Sequence, residues 1–330
     1  MIYLGKSPYR VSLLGGGSDL SWFVRENNYG LCLGFSLNRY SYSVINLLPD
    51  SYNHGILDYS VREVYSSLND IAHPIIRETL KSFNIEKFVE IKSFGFAGGG
   101  AGLGGSASFL LSLMAAINLA FKIDLNLLQM IEKACEIEID VLKKPIGKQD
   151  QYLCSESGIN SYTFRGNNTV TKNLLSKEKI ETLHRAVENM YLIPTNKYRK
   201  SDNVLSSVKN DSNSAQKILE IRNIAEAFIN SKEERDYKIE NIFNQSMQDS
   251  WRIKKDLPLV MNQDLNDQMD SINKLIPNNW IRLIGAGSGG YFLVSSKISE
   301  KEIKSISENK AVNGIFKASL SETGVESFSL

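Results

Sequence analysis

Residues 96–108 read Phe-Ala-Gly-Gly-Gly-Ala-Gly-Leu-Gly-Gly-Ser-Ala-Ser, and an apolar run follows them as far as Phe121. The apolar run predicts a buried helix that begins near Ser106. Glycine lets the backbone approach an anion closely, and a helix N-terminus offers unpaired N–H groups and a positive dipole end. The segment therefore predicts a phosphate-binding loop that enters a helix. A plain flexible loop is the weaker interpretation, because ordering this many glycines costs conformational entropy.

Two common nucleotide-binding patterns describe this loop poorly. A Walker A loop ends in Gly-Lys-Ser/Thr, and residues 96–108 contain no lysine. The stretches 100–105 and 285–290 both match GxGxxG, so that pattern alone is a weak signal. A Rossmann site also needs an acidic residue at the end of a second strand, about 20 residues further on. Asp124 has that spacing but follows a long apolar helix, which disfavours a dinucleotide site.

Glycine residues cluster at three places in the chain. The chain has 330 residues and 23 glycines, which is close to the average usage of roughly 7%. The windows 15–17, 95–105 and 285–290 contain three, seven and four of these glycines. The clustering points to functional segments at both ends and in the middle of the chain.

The overall composition excludes several classes of protein. Lysine and arginine total 38 against 37 acidic residues, and a net charge of +1 gives no basic excess for nucleic acid binding. Three widely spaced cysteines without a CxxC pattern argue against a disulfide framework or a zinc site. The chain begins with no signal peptide pattern, and its apolar runs fall short of the roughly 20 residues that span a bilayer. We therefore expect a soluble, cytoplasmic protein that binds neither nucleic acid nor a membrane.

Strand and helix patterns are mixed irregularly along the chain, which predicts an α+β fold rather than a doubly wound sheet. The length suggests two domains, and a charged stretch at 176–185 suggests a boundary. We therefore assign residues 1–180 to the first domain and residues 181–330 to the second. Strands are expected at 9–14, 32–48, 88–92, 190–193, 280–284 and 291–295, and helices at 69–83, 106–121, 125–143 (with Asp124 as N-cap), 264–276 and through much of 201–255.

Three motifs in order resemble those of the GHMP kinases, the family of galactokinase, homoserine kinase, mevalonate kinase and phosphomevalonate kinase. Residues 102–107 resemble the second motif, residues 7–19 the opening of the sugar 1-kinase branch, and residues 284–292 the third motif. Residues 147–152 (Gly-Lys-Gln-Asp-Gln-Tyr) and the pattern Trp251-x-x-Lys-Lys are similar to the D-glycero-D-manno-heptose 7-phosphate kinases. The resemblance covers nearly the whole chain. It implies an N-terminal domain like domain 2 of ribosomal protein S5 and a C-terminal ferredoxin-like α/β sandwich.

The resemblance also implies an ATP site and a magnesium site. Ser106 would hold Mg²⁺ through its hydroxyl, with Glu138 as the acidic partner. Glu136, Glu138 and Asp140 point to different faces of a helix, so only one of them is expected at the site. Ser106 as a plain helix N-cap and Glu138 on a solvated face are the alternatives. The ATP-binding loop would consist of Gly98, Gly99, Gly100, Ala101, Gly102, Leu103, Gly104, Gly105, Ser106, Ala107 and Ser108.

For catalysis, the resemblance points to Asp150, Arg10 and Lys148. Asp150 would accept or orient the proton of the attacking sugar hydroxyl. Arg10 would lie beside Asp150 and offset negative charge in the transition state. Lys148 would neutralise phosphate charge. A turn aspartate and ordinary surface side chains are the alternatives for these residues.

The sugar site is expected at the first and third glycine windows. Asp19 would accept hydrogen bonds from sugar hydroxyls, although Ser18 and Asp19 could equally cap a helix over residues 20–25. The third window could also serve tight packing alone. The predicted substrate residues are Gly16, Gly17, Ser18, Asp19, Gly285, Gly287 and Gly289, and the basic candidates for a substrate phosphate are Arg39, Lys197, Arg199, Lys200 and Arg282.

The leading hypothesis is an ATP- and Mg²⁺-dependent sugar kinase that phosphorylates the anomeric hydroxyl of a heptose 7-phosphate for nucleotide-heptose synthesis. Another GHMP sugar 1-kinase, of fucose or galactose type, and a non-catalytic sugar or nucleotide sensor are the alternatives. Either a monomer or a dimer fits the sequence. Two positions depart from the family pattern: residues 98–100 are all glycine near a usual proline, and Gly105 stands where a small hydroxyl residue is common. We therefore expect a more flexible loop with one phosphate donor fewer.

Overall fold

The computed structural model of the protein describes residues 1–98, 100–195, 197, 201–232, 235–276, 280–309, 312 and 314–330. Its strands are β1 (Ile2–Leu14), β2 (Tyr29–Leu47), β3 (Gly55–Asp58), β4 (Arg62–Tyr65), β5 (Val89–Gly95), β6 (Ile159–Arg165), β7 (Val170–Lys172), β8 (Met190–Pro194), β9 (Trp280–Leu283), β10 (Tyr291–Ser295), β11 (Phe316–Lys317) and β12 (Glu326–Ser329). Its helices are α1 (Ser21–Asn27), α2 (Pro74–Ser82), α3 (Gly105–Ala120), α4 (Leu127–Cys135), α5 (Gln149–Leu153), α6 (Lys177–Glu188), α7 (Ser201–Asn210), α8 (Ser214–Asn230), α9 (Asp236–Lys254), α10 (Gln263–Leu275) and α11 (Glu300–Ser307). This mixture confirms the predicted α+β class.

The strands form two sheets. The larger sheet has eight strands in the order β12-β1-β2-β5-β3-β4, with β6 paired to both β2 and β7. The smaller sheet has four antiparallel strands in the order β11-β8-β10-β9. The last strand, β12, returns to pair with β1, so the end of the chain joins the larger sheet. The domain boundary predicted between residues 180 and 181 falls within α6 and stays a prediction.

The long antiparallel pair of β1 and β2 carries the first residues of the site. Its register is irregular after Pro8 and after Ser12, and Arg10 lies between these two points. Such irregularities re-aim side chains and are common next to active sites. The face of β1 opposite Arg10 packs into a core that includes Val11, Leu13, Phe228, Phe243 and Leu293. Burial of this apolar face holds the strand in place.

Helix α3 is the buried helix that the apolar run predicts. It covers Gly105–Ala120, one residue earlier at each end than expected. Leu110, Leu111 and Met114 are fully buried within its surrounding core. The N-cap is Gly104, whose φ is +73°. Ser106 therefore lies inside the first turn, and its alternative interpretation as the helix N-cap is wrong.

The helix predicted over residues 125–143 is shorter and has a different cap. The Asn126 side chain accepts the backbone N–H of Gln129 at 3.0 Å, and the Gln129 side chain accepts the N–H of Asn126 at 2.9 Å. Asn126 is therefore the N-cap of α4. Asp124 has a φ of +64°, so its prediction as the cap is wrong. After α4 the chain continues as a π-helix, Glu136–Val141, a geometry that is frequent at functional sites.

Two other segments differ from the sequence predictions. The helix predicted over 69–83 begins only at Pro74, because proline suits the first turn of a helix and not its interior. The charged stretch at 176–185 is largely helix α6, capped by the side chain of Ser176. In the described part of the chain, no helix has the length and apolar character needed to cross a membrane.

Candidate active site

One pocket gathers residues from both ends and the middle of the chain. Its wall includes the end of β1, the turn before α1, the glycine loop, the segment from 138 to 150, helices α7 and α8, and residues 285–286. The predicted site residues that line it are Arg10, Gly16, Gly17, Asp19, Gly100, Gly102, Gly104, Gly105, Ser106, Ala107, Glu138, Asp150 and Gly285. Those placed outside its lining are Ser18, Gly98, Ala101, Leu103, Ser108, Lys148, Gly287 and Gly289. Gly99 lies outside the described residues.

The glycine loop adopts a backbone that larger residues would resist. Gly100, Gly102 and Gly104 have φ values of +83°, +77° and +73°, which glycine adopts at little cost. A Cβ on Gly104 would lie 2.9 Å from both Arg10 Cγ and Cys154 Sγ. Helix α3 begins at the next residue, so the unpaired N–H groups of its first turn lie at the pocket. This arrangement suits an anion such as a phosphate group.

The third glycine window packs directly on the second. Gly285 has a φ of +75°, and a Cβ on it would lie 2.5 Å from the Cα of Gly102. The turn between β9 and β10 therefore touches the glycine loop and closes one side of the pocket. Gly287 approaches Val260 instead, and Gly289 approaches the backbone of residue 197. Of the three glycines predicted here, only Gly285 reaches the pocket.

Arg10 and Asp150 form a two-point ion pair in the pocket. Arg10 Nε donates to Asp150 Oδ1 at 2.8 Å and Nη2 donates to Oδ2 at 2.7 Å, while Nη1 donates to the carbonyl of Gly102 at 2.6 Å. The Arg10 side chain is 5% exposed and that of Asp150 is 30% exposed. Burial by itself lowers the pKa of Arg10, but the Asp150 carboxylate outweighs it and the net pKa is raised. The arginine thus fixes the carboxylate while leaving it accessible.

Asp19 is a buried carboxylate held by the start of α5. Its Oδ2 accepts the backbone N–H of Gln149 at 3.0 Å, and its Oδ1 accepts the Gln149 side-chain amide at 2.9 Å. Burial raises the pKa of Asp19 to about 6, although these hydrogen bonds oppose the shift. A Cβ on Gly147 would lie 2.0 Å from Asp19 Oδ2. Helix α1 has Leu20 as N-cap and no side-chain cap, so the capping interpretation of Ser18 and Asp19 is wrong.

Ser106 and Glu138 meet in the pocket although they are far apart in sequence. The Ser106 hydroxyl donates to Glu138 Oε1. Glu138 is fully buried, and its Oε2 accepts the Gln151 side-chain amide at 2.6 Å. Glu136 is half exposed and pairs with Lys133 instead. Of the acidic residues on this segment, Glu138 is the one that lines the pocket.

Several residues of this pocket were not predicted from the sequence. Lys144 donates to Ser106 Oγ and to Glu138 Oε1, each at 2.7 Å. Lys254 donates to the carbonyl of Gly285 at 2.6 Å. The sequence offered a partial signal for Lys254, through its place after Trp251, and none for Lys144, since a lysine before proline resembles any surface lysine.

Helix α7 supplies a mixed polar and apolar wall. Asp202, Leu205 and Val208 line the pocket at a spacing of three residues, which places them on one face of the helix. Ile218 of α8 and Leu257 continue the apolar part of this wall. No local feature of the sequence assigned this face to the site, because a helix face of this kind usually packs into a core.

Several predicted basic residues lie away from the pocket. Lys148 Nζ is 3.4 Å from Asn168 Oδ1. Arg282 is buried and donates to the carbonyl of Leu13 at 2.6 Å, and burial lowers its pKa to about 10. Arg282 therefore links the two sheets rather than facing the pocket.

The remaining basic candidates are also not brought to the pocket. Arg39 is exposed and lies over the Phe96 ring, 5.4 Å from its centroid. Lys197 pairs with Asp264. Arg199 and Lys200 lie outside the described residues.

The stretch that carries the glycine loop matches a known family. Residues 70–158 match the family described as the GHMP kinases N-terminal domain, and they include Ser106, Glu138 and Asp150. The chain carries a GHMP kinase N-terminal domain. This finding confirms the family resemblance seen in the motifs.

Known proteins resemble this chain over nearly its whole length. It is 24% identical over 308 residues to the D-glycero-alpha-D-manno-heptose 7-phosphate kinase of Campylobacter jejuni, with 87% of each chain covered. It is similar to the structure of a D-glycero-D-manno-heptose 1-phosphate kinase from Bacteroides thetaiotaomicron, with a TM-score of 0.75, 18% identity and 99% of each chain covered. It is also similar to Lactococcus lactis galactokinase complexed with galactose, with a TM-score of 0.72, 15% identity, and 100% of this chain and 95% of that chain covered. The protein thus has the two-domain GHMP kinase fold, and it is a phosphotransferase.

Proposed function

We propose that this GHMP kinase transfers the γ-phosphoryl group of ATP to the anomeric hydroxyl of a heptose 7-phosphate. The observation that carries the proposal is the Arg10–Asp150 pair, since it lines one pocket with the glycine loop and with Asp19. A carboxylate beside a phosphate-binding loop suits the transfer of a phosphoryl group to a hydroxyl. The names of the Campylobacter and Bacteroides relatives support heptose phosphate as the substrate class. A cytoplasmic location, where ATP is available, goes with this proposal.

We propose Asp150 as the residue that orients the attacking hydroxyl. Its carboxylate accepts the hydroxyl proton as the sugar oxygen bonds to the γ-phosphorus and the bond to the β-phosphate oxygen breaks, which releases ADP. Arg10 holds both carboxylate oxygens in place, so little reorganisation is needed during the reaction. The same guanidinium contacts the carbonyl of Gly102, which couples the orientation of Asp150 to the glycine loop.

The glycine loop and the Ser106–Glu138 pair would hold MgATP. The backbone N–H groups at the start of α3 suit phosphate oxygens. A serine hydroxyl and a carboxylate are oxygen ligands of the kind that Mg²⁺ takes, with one or two carboxylates and substrate phosphates as its usual partners. Ser106 and Glu138 are already in contact, so the donor set fits this ion. When bound, Mg²⁺ would neutralise charge on the phosphate groups.

The opposite wall of the pocket suits a sugar. Asp19 and Asp202 offer carboxylate oxygens to hydroxyl groups, while Leu205, Val208 and Ile218 offer an apolar surface to the C–H groups of the ring. Binding sites for small molecules commonly combine an apolar lining with a few polar groups that set orientation. We propose Asp19 as the main acceptor, because its position is held by Gln149.

A coupled ADP-release assay over free hexoses, free heptoses and heptose 7-phosphates tests the substrate. We expect turnover with heptose 7-phosphate and a new phosphate on the anomeric carbon, which ³¹P NMR identifies. Turnover only with a free hexose would reassign the enzyme as a sugar 1-kinase of galactose or fucose type. ATP binding without turnover of any sugar would favour the sensor hypothesis.

A variant tests the role of Asp150. Asp150→Asn should bind ATP normally and lose about 10²–10⁴-fold in kcat, the usual range for a general base. Asp140→Asn is the matched control, since Asp140 is exposed on the same segment and should keep wild-type turnover. Near-normal kcat in Asp150→Asn would exclude the proposed role of that carboxylate.

A further inference from the structure

Lys144 places an ammonium group on the two oxygens proposed to hold magnesium. Its Nζ lies 2.7 Å from Ser106 Oγ and 2.7 Å from Glu138 Oε1. Glu138 is fully buried, and a buried carboxylate is strongly disfavoured without a counter-charge. Lys144 supplies that charge, while Gln151 donates to the other carboxylate oxygen at 2.6 Å.

The backbone turns Lys144 back over the glutamate that it neutralises. The π-helix that contains Glu138 ends at Val141, and Lys143 then takes a φ of +53°. The backbone N–H of Lys144 donates to the carbonyl of Glu138 at 3.0 Å. Both the main chain and the side chain of Lys144 therefore contact this one residue. The side chain is 21% exposed and lines the pocket, so it borders the space proposed to hold the phosphate groups.

We propose that Lys144 is a positioning residue. Its ammonium group keeps the Ser106 and Glu138 oxygens together until MgATP binds, and the divalent cation then displaces it from these oxygens. Two cations bound to the same oxygens of a partly buried site would repel each other strongly, so each excludes the other. The exchange makes metal binding depend on the nucleotide, because the phosphates offer the displaced ammonium new oxygens. This inference rests on the proposed metal site and is independent of which sugar is used.

Titration with Mn²⁺ alone, without nucleotide or sugar and followed by electron paramagnetic resonance, tests the proposal. Lys144→Met should bind Mn²⁺ at least about tenfold more tightly than the wild type, since no ammonium then competes for the oxygens. Lys144→Arg should behave as the wild type, because it restores the charge. Lys143→Met is the matched control, as Lys143 is the exposed neighbour of Lys144 and should bind Mn²⁺ like the wild type.

Thermal unfolding gives a second readout that does not depend on activity. Lys144→Met should melt at a lower temperature than the wild type in EDTA, and Mg²⁺ should restore its melting temperature while changing that of the wild type much less. If Lys144→Met does not fold, the same measurements are made on Lys144→Gln, because its amide keeps a hydrogen-bond donor without the charge.

Two outcomes would overturn the proposal. One is equal Mn²⁺ affinity in the wild type and in the charge-removing variants Lys144→Met and Lys144→Gln. The other is a destabilised variant that Mg²⁺ does not restore, which would make the lysine a purely structural partner of Glu138. Sugar turnover by the wild type with either outcome would leave the proposed function standing. Tight Mn²⁺ binding by Lys144→Met, together with no turnover of any sugar by the wild type, would support the lysine exchange and exclude the proposed sugar substrate.

Discussion

Replacing Arg10 with lysine should destabilise the fold and impair the site although the charge is kept. The guanidinium makes three hydrogen bonds, two to Asp150 and one to the carbonyl of Gly102. An ammonium is a compact point charge, and we expect it to keep only one of them. Hydrogen bonds to charged groups contribute roughly 1.5–3 kcal/mol each, so losing two costs about 3–6 kcal/mol. Because Asp150 is 30% exposed and can be rehydrated, we expect a smaller loss in the free energy of unfolding, about 2–4 kcal/mol.

Urea denaturation followed by tryptophan fluorescence measures this loss. Arg39→Lys is the matched control, since Arg39 is exposed and its replacement should change the free energy of unfolding by less than about 0.5 kcal/mol. The turnover of Arg10→Lys should also fall by about 100-fold, because Asp150 is no longer held at two points. If Arg10→Lys unfolds at the same urea concentration as the wild type and keeps its turnover, the two-point ion pair contributes to neither stability nor catalysis.

Two other predictions concern the walls of the pocket. Gly285→Ala would bring a Cβ within 2.5 Å of Gly102 and should weaken ATP binding, measured by isothermal titration calorimetry, by about tenfold. Gly166→Ala is the control, because Gly166 does not line the pocket and a Cβ there meets only the carbonyl of Val24, at 3.9 Å. Equal affinities in the two variants would contradict the steric argument. Protonation of Asp19 removes an acceptor, so the KM for the sugar should rise as pH falls through about 6, and a KM that is flat over that range would count against Asp19 as the sugar ligand. The folded state holds this proton more tightly than the unfolded chain, so the contribution of Asp19 to stability should decrease as pH rises from about 4 to about 6.

Local signals made the centre of the site predictable. The sequence of residues 96–121 predicts both the glycine loop and helix α3. A cluster of glycines indicates a loop, and a run that is apolar on all sides indicates a buried helix, without reference to distant residues. The position of Glu138 followed from a resemblance rather than from periodicity, and Glu138 and Asp150 both line the pocket. Their roles in metal binding and proton transfer stay predictions.

Other parts of the site depend on contacts that no local pattern contains. The Lys144 ammonium group donates a hydrogen bond to Ser106, which is 38 residues away in sequence. The left-handed backbone conformation of Lys143 turns Lys144 towards the pocket. Arg282 looked like a candidate for binding phosphate, but the packing of the two sheets buries it against Leu13. The helix cap is likewise Asn126 and not Asp124. Asp124 has a left-handed backbone conformation, whereas the Asn126 side chain accepts the backbone N–H of Gln129.

The amino-acid sequence alone predicts the glycine loop, the buried helix behind it and the α+β class, because steric and hydrophobic preferences act over a few residues. Only the tertiary structure decided which charged side chains face the pocket. The pairing of Arg10 with Asp150 spans 140 residues, and the close approach of Gly285 to Gly102 joins two distant turns. Such contacts depend on how the strands and helices pack together, and the energy of a charge depends on the surroundings that this packing creates.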